Sequence, residues 1–415
     1  MTNIIGVAAE YNPFHSGHQY HLEQSREMTG GGAVICVQSG DFVQRGEPAV
    51  FCKHARAEAA VRSGADLVLE LPLPWALSSA EGFARGCVGL LGALGVVTHL
   101  SFGSETGEVE LLNALATALL DPAVDAMIRE ELDTGMPYAA ARQRALQRAI
   151  GDMARAVETP NNILAVEYLK AMYDLHIHME PIAVRRVGAG HDRTASPEEG
   201  YRSASELRTL LGAGQDVSGY LPATATAVFR RELERGRGPV TAETLETAVL
   251  SRLRMLPEAA YNALPDAAEG LGNRLCRAAR TEATLDAVLA AASTKRYALS
   301  RLRRMLYGAA LGLRAGMADG VPPYARVLAA NETGLELLRQ IGERTRIPVV
   351  TKPAYIRELD SEAQALFRLN AEATDLYVLG YTAREERRAG ADWRESPRIV
   401  QEQEVRRDRV HKTRI

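Results

Sequence analysis

The chain has 415 residues, enough for two or three cores, and its 46% apolar and 24% charged content is that of an ordinary globular protein. A net charge of −3 argues against general polyanion binding, so any nucleic-acid contact has to be local. Four cysteines without CxxC spacing, no charged-then-apolar leader and no uncharged run near 18 residues predict a cytoplasmic protein with free thiols and no membrane span.

In chain order, the first predicted element is the apolar run Ile4 to Ala9, short enough to read as a buried strand. A turn rich in Asn, Pro and Gly follows, Tyr11-Asn12-Pro13-Phe14-His15-Ser16-Gly17-His18, and then a helical stretch from Gly17 to Met28. Further candidate strands are Ala33 to Gln38, Leu67 to Leu71, Thr98 to Phe102 and Ile182 to Val187. Helical stretches lie between them at His54 to Ser63, Ala80 to Leu94 and Glu108 to Leu120. This alternation predicts an α/β fold with a parallel sheet, in which ligands bind outside the carboxyl ends of the strands. Three polar loops fall at those ends: the histidine turn, residues 39–46 and residues 101–105. They either converge on one site or are a scatter of ordinary loops.

Residues 122–175 read as a helical insertion, with Glu158-Thr159-Pro160-Asn161-Asn162 opening its last helix. From 238 to 345 the chain is rich in Ala, Leu and Arg with helical periodicity, which predicts a mainly α-helical second domain. The expected divisions are therefore 1–220, 238–345 and a C-terminal segment, 346–415, with a basic end from Arg406 to Arg414.

The histidine turn carries the chemistry. A strand, a tight turn and a helix N-terminus form an anion site, because backbone N–H groups there lack helical partners. His15 and His18 add side-chain donors, and Gly17 lets the backbone approach closely. A histidine on a helix is ordinarily a satisfied surface or core residue, and zinc ligation is another reading. No third metal ligand is evident nearby, and the order strand–NPF–HxGH–helix favours phosphate handling.

That order resembles the HxGH nucleotidyltransferase superfamily, which includes the pantetheine-phosphate and nicotinamide-mononucleotide adenylyltransferases. The resemblance implies a Rossmann-like domain in which His15 and His18 serve attack on the α-phosphate of ATP. It also implies a second motif, Ser-x-x-x-x-Arg, opening a later helix. Ser203-Ala204-Ser205-Glu206-Leu207-Arg208 fits it, which assigns Ser203, Ser205 and Arg208 to the same site. Longer stretches narrow the match. Glu10 to His18, Ser39 to Ala49, Gly64 to Pro72, Ser101 to Glu105, Thr159 to Leu164, Arg185 to Asp192 and Thr294 to Tyr297 look like the bacterial tRNA(Met) cytidine acetate ligases. The resemblance spans residues 1 to about 310; Ser16 stands where many members carry Asn.

This family resemblance implies an ATP-dependent ligase. Acetate is activated as acetyl-adenylate, and N4 of the wobble cytidine of elongator tRNA(Met) takes the acetyl group, giving N4-acetylcytidine, AMP and pyrophosphate. Mg²⁺ is the expected counterion of ATP. Carried over residue by residue, the ATP contacts fall on Val7, Ala8, Ala9, Glu10, Tyr11, Asn12, Pro13, Phe14, His15, Ser16, Gly17, His18, Gln19 and Tyr20, and on Gly103, Asn162, Arg185 and Arg186. Gly103 reads equally as turn punctuation and Asn162 as a helix cap. Strand alternation lets at most one of Arg185 and Arg186 face ATP from the strand proper. Asp41, Gln44 and Arg45 are candidates for positioning the substrate, or members of a plain surface loop.

For the tRNA, the run Lys295 to Arg304 carries five cations in ten residues. Helical spacing puts Arg296, Arg303 and Arg304 broadly on one side, with Leu299, Leu302 and Leu306 on an inward face. A solvated helix face is the ordinary reading of such a run; the resemblance makes it, Lys295 included, a phosphate-backbone contact. The competing enzyme reading is a small-molecule adenylyltransferase that shares only the HxGH site, and a long helical region speaks against it. A nucleotide-sensing RNA-binding protein without chemistry is the alternative from a different class. No feature of the sequence specifies an oligomeric state.

Overall fold

In the computed structural model, which describes residues 3–186, 202–401 and 403, neighbouring residues of each central strand serve different cores. In β1 (Ile4–Ala9), Ile4 faces one side of the sheet while Ile5 and Val7 face the other. β2 (Ala33–Ser39) divides in the same way, Ile35 and Val37 against Val34 and Cys36. This is the period of two that a strand buried on both faces requires.

After β1 and α1 (Ser16–Met28) come β2 and a small hairpin of β3 (Phe42–Val43) and β4 (Glu47–Pro48). α2 (Lys53–Arg62), β5 (Leu67–Leu71), the short α3 (Leu73–Ala76), α4 (Ala80–Ala93) and β6 (His99–Ser104) follow. α5 (Val109–Leu120), α6 (Pro122–Asp133), α7 (Tyr138–Ile150) and α8 (Pro160–Asp174) lead across to β7 (Glu180–Arg185). The strands β5-β2-β1-β6-β7 are parallel, and the order turns back beside β1. A crevice therefore opens at the carboxyl ends of β1 and β6, where the histidine turn begins. Within the stretch 122–175, α8 is more than an insertion. Its Ala165, Val166 and Leu169 share the core of Ile35 and Leu69 with Cys87, Val88 and Leu91 of α4, so it helps to cover the sheet.

α9 (Ala204–Gly212) and α10 (Ala223–Glu234) cover the other face through Leu207, Leu211, Val228 and Phe229. α11 (Ala242–Met255), α12 (Glu258–Asn262), α13 (Leu271–Thr281), α14 (Leu285–Ala292) and α15 (Leu299–Leu311) then build a core of their own around Leu245, Leu253, Leu275 and Leu306. Phe42 of the hairpin is fully buried in that helical core, which ties the two parts together. The expected extent of the helical domain, to 345, needs correction. β8 (Ala325–Ala330) leaves the helices and joins the central sheet antiparallel to β5, with β9 (Val349–Val350) and β10 (Arg398–Ile399) alongside it. α16 (Glu332–Arg344) packs Leu337 and Ile341 onto the core of Ile4, and α17 (Ser361–Tyr377) and α18 (Ala391–Arg394) complete the chain's described part. The segment ARVLAA escapes sequence reading because it is buried on both faces and has neither alternation nor β-branched enrichment.

A buried ionic cluster explains how Arg326 is tolerated in β8. Its Nη1 lies 3.0 Å from Glu70 Oε2 and 2.9 Å from Asp392 Oδ2. Lys53 Nζ completes the square, 2.8 Å from Glu70 Oε1 and 2.6 Å from Asp392 Oδ2. Charges this deep persist only when each has partners. No single helix among the described residues is long and apolar enough to cross a membrane; α5 and α6 form a pair bent by 72°, and Leu112 and Leu115 of α5 lie in the sheet core. All four cysteines are free.

Candidate active site

The histidine turn closes on itself. His15 is the N-cap of α1, and its side chain accepts from the Gly17 N–H at 3.1 Å. In return, the His15 N–H donates to Nδ1 of His18 at 3.3 Å, and the two rings stack with centroids 3.8 Å apart. Gly17 is required here, since a Cβ would lie 2.9 Å from the His15 ring. The first N–H groups of the helix are thus spent on capping, contrary to the expectation of free donors. What the turn offers instead are the two Nε2 atoms, which have no protein partner among the described residues. With both Nδ1 atoms accepting, each neutral ring carries its proton on Nε2 and presents it as a donor. Both rings stay neutral: burial, then Arg186 and Arg208, brings His15 down to about 3. Burial, His15 and Arg186 hold His18 well below the usual histidine range.

Not every residue of the expected ATP loop faces the crevice. Val7, Tyr11 and Phe14 are core residues, packed with Leu22 on the inner face, so only their backbone can meet a ligand. Ala9 and Pro13 are buried as well, and Ala8 packs against the sheet's other core. Asn12 accepts from the Val50 N–H at 2.8 Å, Ser16 donates to the Tyr220 carbonyl at 3.0 Å, and Gln19 donates to Glu23 at 2.9 Å. Tyr20 is half-buried. Glu10 accepts from the Gln44 N–H at 2.7 Å and so fixes the hairpin loop against β1.

The second motif arrives at this same turn. Ser203 caps α9 in a reciprocal box with Glu206, so its hydroxyl serves the helix. Arg208, one turn further, donates from Nη1 to the Asn12 carbonyl at 3.0 Å and from Nη2 to Ser205 Oγ at 3.1 Å. Glu47 Oε1 lies 2.8 Å from the same Nη2. Arg45 donates to Ser205 at 3.4 Å, which brings the 39–46 loop into the cluster. Asp41 has its partners inside the protein. It is 4% exposed, and its carboxylate accepts from the Lys53 N–H and the Thr374 hydroxyl, both at 2.7 Å.

On the β6–β7 side, the two arginines part company where the strand ends. Arg186, exposed and just past β7, lowers the affinity of His15, His18 and His21 for protons, and Gly103 in β6 leaves its stem room at 3.7 Å from a would-be Cβ. Arg185, the last residue of β7, lies instead against Gly107. Gly103 is a strand residue rather than turn punctuation. Asn162 is neither a cap nor an exposed contact. It is 1% exposed, accepts from Ser104 Oγ at 2.7 Å and the Glu105 N–H at 3.0 Å, and donates to the Ala156 carbonyl at 2.9 Å. It acts by holding the turn after β6. The α8 N-terminus itself is plugged by the Glu105 carboxylate, which accepts from the N–H groups of Asn161 and Asn162. A cavity of about 830 Å³ beside this turn is lined by Glu108, Glu110 and Asp152 and includes neither histidine, so it is ill suited to a triphosphate.

The basic run divides. Lys295 and Arg296 are exposed in a turn before α15, not on the helix, because the helix starts only at Leu299. Leu299, expected inward, is 46% exposed in the first turn, whereas Leu302 and Leu306 are buried. Arg304 is largely covered and sits 3.6 Å from Asp266. The start of α15 lies against the hairpin loop: a Cβ on Gly46 would come within 2.5 Å of the Arg304 nitrogen. Val187 and the basic C-terminal end lie outside the described residues.

Sequence reading missed three contributors. Arg56 is fully buried and gathers the carbonyls of Phe51, Glu10, Ser39 and Gly40 at the ends of β1 and β2. Glu47 pairs with Arg208, as above. His21, three residues beyond His18, bonds Ser101 at 3.0 Å; its spacing was visible, its partner was not.

The family described as HIGH Nucleotidyl Transferase matches residues 2–392. A tRNA(Met) cytidine acetate ligase of Acetivibrio thermocellus is 37% identical over 94% of this chain and 98% of its own length. That of Thermosipho melanesiensis is 33% identical over 94% and 97%. The crystal structure of Thermotoga maritima TmcAL bound with alpha-thio ATP superposes with a TM-score of 0.90 at 32% identity, covering 96% of this chain and all of that one.

Proposed function

The chain belongs to the HIGH nucleotidyl transferase family and within it to the tRNA(Met) cytidine acetate ligases, and from that membership and its site we propose that it acetylates N4 of the wobble cytidine of elongator tRNA(Met) at the expense of ATP. One observation carries the ATP half of this reading: Arg208 of the second motif reaches into the HxGH turn and meets the Asn12 carbonyl. The two motifs thus form one cationic and N–H-donating surface at the carboxyl end of β1.

In the first step an acetate oxygen attacks the α-phosphorus of ATP, the bond to the β-phosphate oxygen breaks, and pyrophosphate leaves with the electron pair. Acetate is already anionic, so the step needs charge stabilisation more than a base. The Nε2–H groups of His15 and His18, with Arg186 and Arg208, supply it. In the second step the cytidine N4 attacks the acetyl carbonyl carbon, the bond from that carbon to the phosphate oxygen breaks, AMP leaves with the electron pair, and the N4 proton passes to solvent. Among the described residues no group of three or more His, Cys, Asp or Glu could cage a metal, and Glu47 is taken by Arg208, so these residues offer no ready cage for a Mg²⁺ ion that accompanies ATP. Such a substrate places the enzyme in the cytoplasm.

Pyrophosphate exchange into ATP that requires acetate, together with mass analysis of tRNA nucleosides after incubation with labelled acetate, tests the reading. Exchange driven by a phosphorylated metabolite instead of acetate, or tRNA left without N4-acetylcytidine, would sink it. His15→Ala and His18→Ala are expected to abolish exchange and acetylation while tRNA still binds.

A further inference from the structure

α13 turns a row of arginines outward. Arg274, Arg277 and Arg280 are exposed at intervals of three residues, while Leu271, Leu275 and Ala279 are buried. Each interval climbs about 4.5 Å along the helix. Several exposed arginines on other helices have carboxylate partners, Arg129 with Asp125, Arg148 with Glu130 and Arg339 with Glu336, while Arg230, Arg252 and Arg368 stand singly without one among the described residues; α13 differs in setting three such arginines in a row. Among the described residues no carboxylate lies within ion-pair distance of the three on α13. A groove of about 400 Å³ beside α13 is lined by Asn273, Arg274, Arg277 and Thr281, with one carboxylate, Glu282, and no aromatic ring.

This stripe is continuous with the site. Arg274 Nη1 donates to the Ser293 carbonyl at 3.3 Å, two residues before Lys295 and Arg296. Their turn leads into α15, whose Arg303 and Arg304 backbone touches Gly46, and Glu47 next to it pairs with Arg208. A trail of cations thus runs from the second motif to the outer face of the helical domain, on a protein whose overall charge is −3.

We propose that the α13 arginine stripe holds the phosphate backbone of the tRNA while its wobble cytidine lies at the adenylate. The inference rests on the tRNA reading above. Guanidinium groups pair with phosphate oxygens in a planar, two-pronged fashion, and a groove without aromatics suits backbone rather than base contact.

Arg277 makes no side-chain hydrogen bond or ion pair among the described residues, so Arg277→Glu leaves the fold intact. The KM for tRNA and the dependence of kcat/KM on salt are measured, with acetate-dependent pyrophosphate exchange as the control. Expected are a KM raised about tenfold and a logarithmic salt slope shallower by roughly one unit, near the ~0.7–0.9 of one phosphate contact, with exchange within about twofold of the parent. Arg277→Lys should retain most of the salt slope. Unchanged KM and slope in Arg277→Glu, in a parent that does acetylate tRNA, overturn this surface alone. A parent that leaves tRNA unmodified overturns the functional reading with it.

Discussion

Arg208 donates from Nη1 to the main-chain carbonyl of Asn12 across 3.0 Å, joining residues 196 positions apart. The same guanidinium holds Ser205 and Glu47 with its other nitrogen, so its plane is set by three partners. Arg208→Lys keeps the charge but cannot make this fork. Acetate-dependent pyrophosphate exchange is expected to fall by about 10²–10³, the range seen when one preorganised donor is removed. Retention of more than a tenth of the parental rate would show that charge alone suffices.

The histidines bring a pH dependence with a definite sign. Burial first, with Arg186 adding to it, depresses His15 to about 3 and His21 to about 4. The unfolded chain takes up these protons near 6.5 and the folded one does not, so stability falls as pH drops from about 6.5 toward 4, by at most about 1.4 kcal/mol per unit for each histidine. Both Nδ1 atoms of the turn accept main-chain N–H groups, so charging His15 or His18 would break the turn's own hydrogen bonds, and ATP is expected to bind without proton uptake by these rings at pH 6 as at pH 8. Calorimetry in two buffers of different ionisation enthalpy checks this; heats at pH 6 that reveal uptake of a whole proton count against it.

Gly46 sits at a φ of 76°, with the Arg303–Arg304 backbone where a Cβ would stand. Gly46→Ala should push the hairpin loop off α15 while leaving the histidine turn in place. Acetylation of tRNA is expected to drop at least about tenfold more than acetate-dependent exchange. Equal losses in the two assays would mean that the contact supports the fold rather than the second half-reaction.

Asp392 anchors Lys53 and Arg326 together. Burial would raise its carboxyl, but Arg326 and Lys53 outweigh that and hold it well below the usual carboxylate range. Asp392→Asn leaves two buried cations with Glu70 and, for Lys53, Asp41 at 3.9 Å, at an expected cost of about 3–5 kcal/mol in urea unfolding at pH 7. The parent keeps this contribution above about pH 4 and loses it as pH falls through the depressed value, so the gap between the two proteins should narrow in acid. A gap below about 1 kcal/mol at pH 7, or one independent of pH, contradicts the account.

Much of the site's frame was readable locally. The strand before the histidines and the helix after them both follow from periodicity and turn chemistry within a few residues. The roles of Asp41 and Asn162 were not, because both side chains are consumed by groups that sequence spacing does not bring near: Thr374 for the one, Ser104 and Ala156 for the other. Leu299 misled for a smaller reason, since a helix that begins at that residue leaves its first turn unpacked.

By itself, the sequence determined the order of the strands β1, β2, β5, β6 and β7, the turn at which α1 begins and the alternation that sends Ile4 and Ile5 to opposite cores. These rest on hydrogen bonds and periodicities that act over a few residues. Only the tertiary structure decided that Arg208 meets Asn12, that β8 returns to the central sheet and that Arg326 is held there by Glu70 and Asp392. Each of those depends on which carbonyl, strand edge or opposite charge a distant segment presents once the chain has closed. Pattern along a single chain carries no term for that.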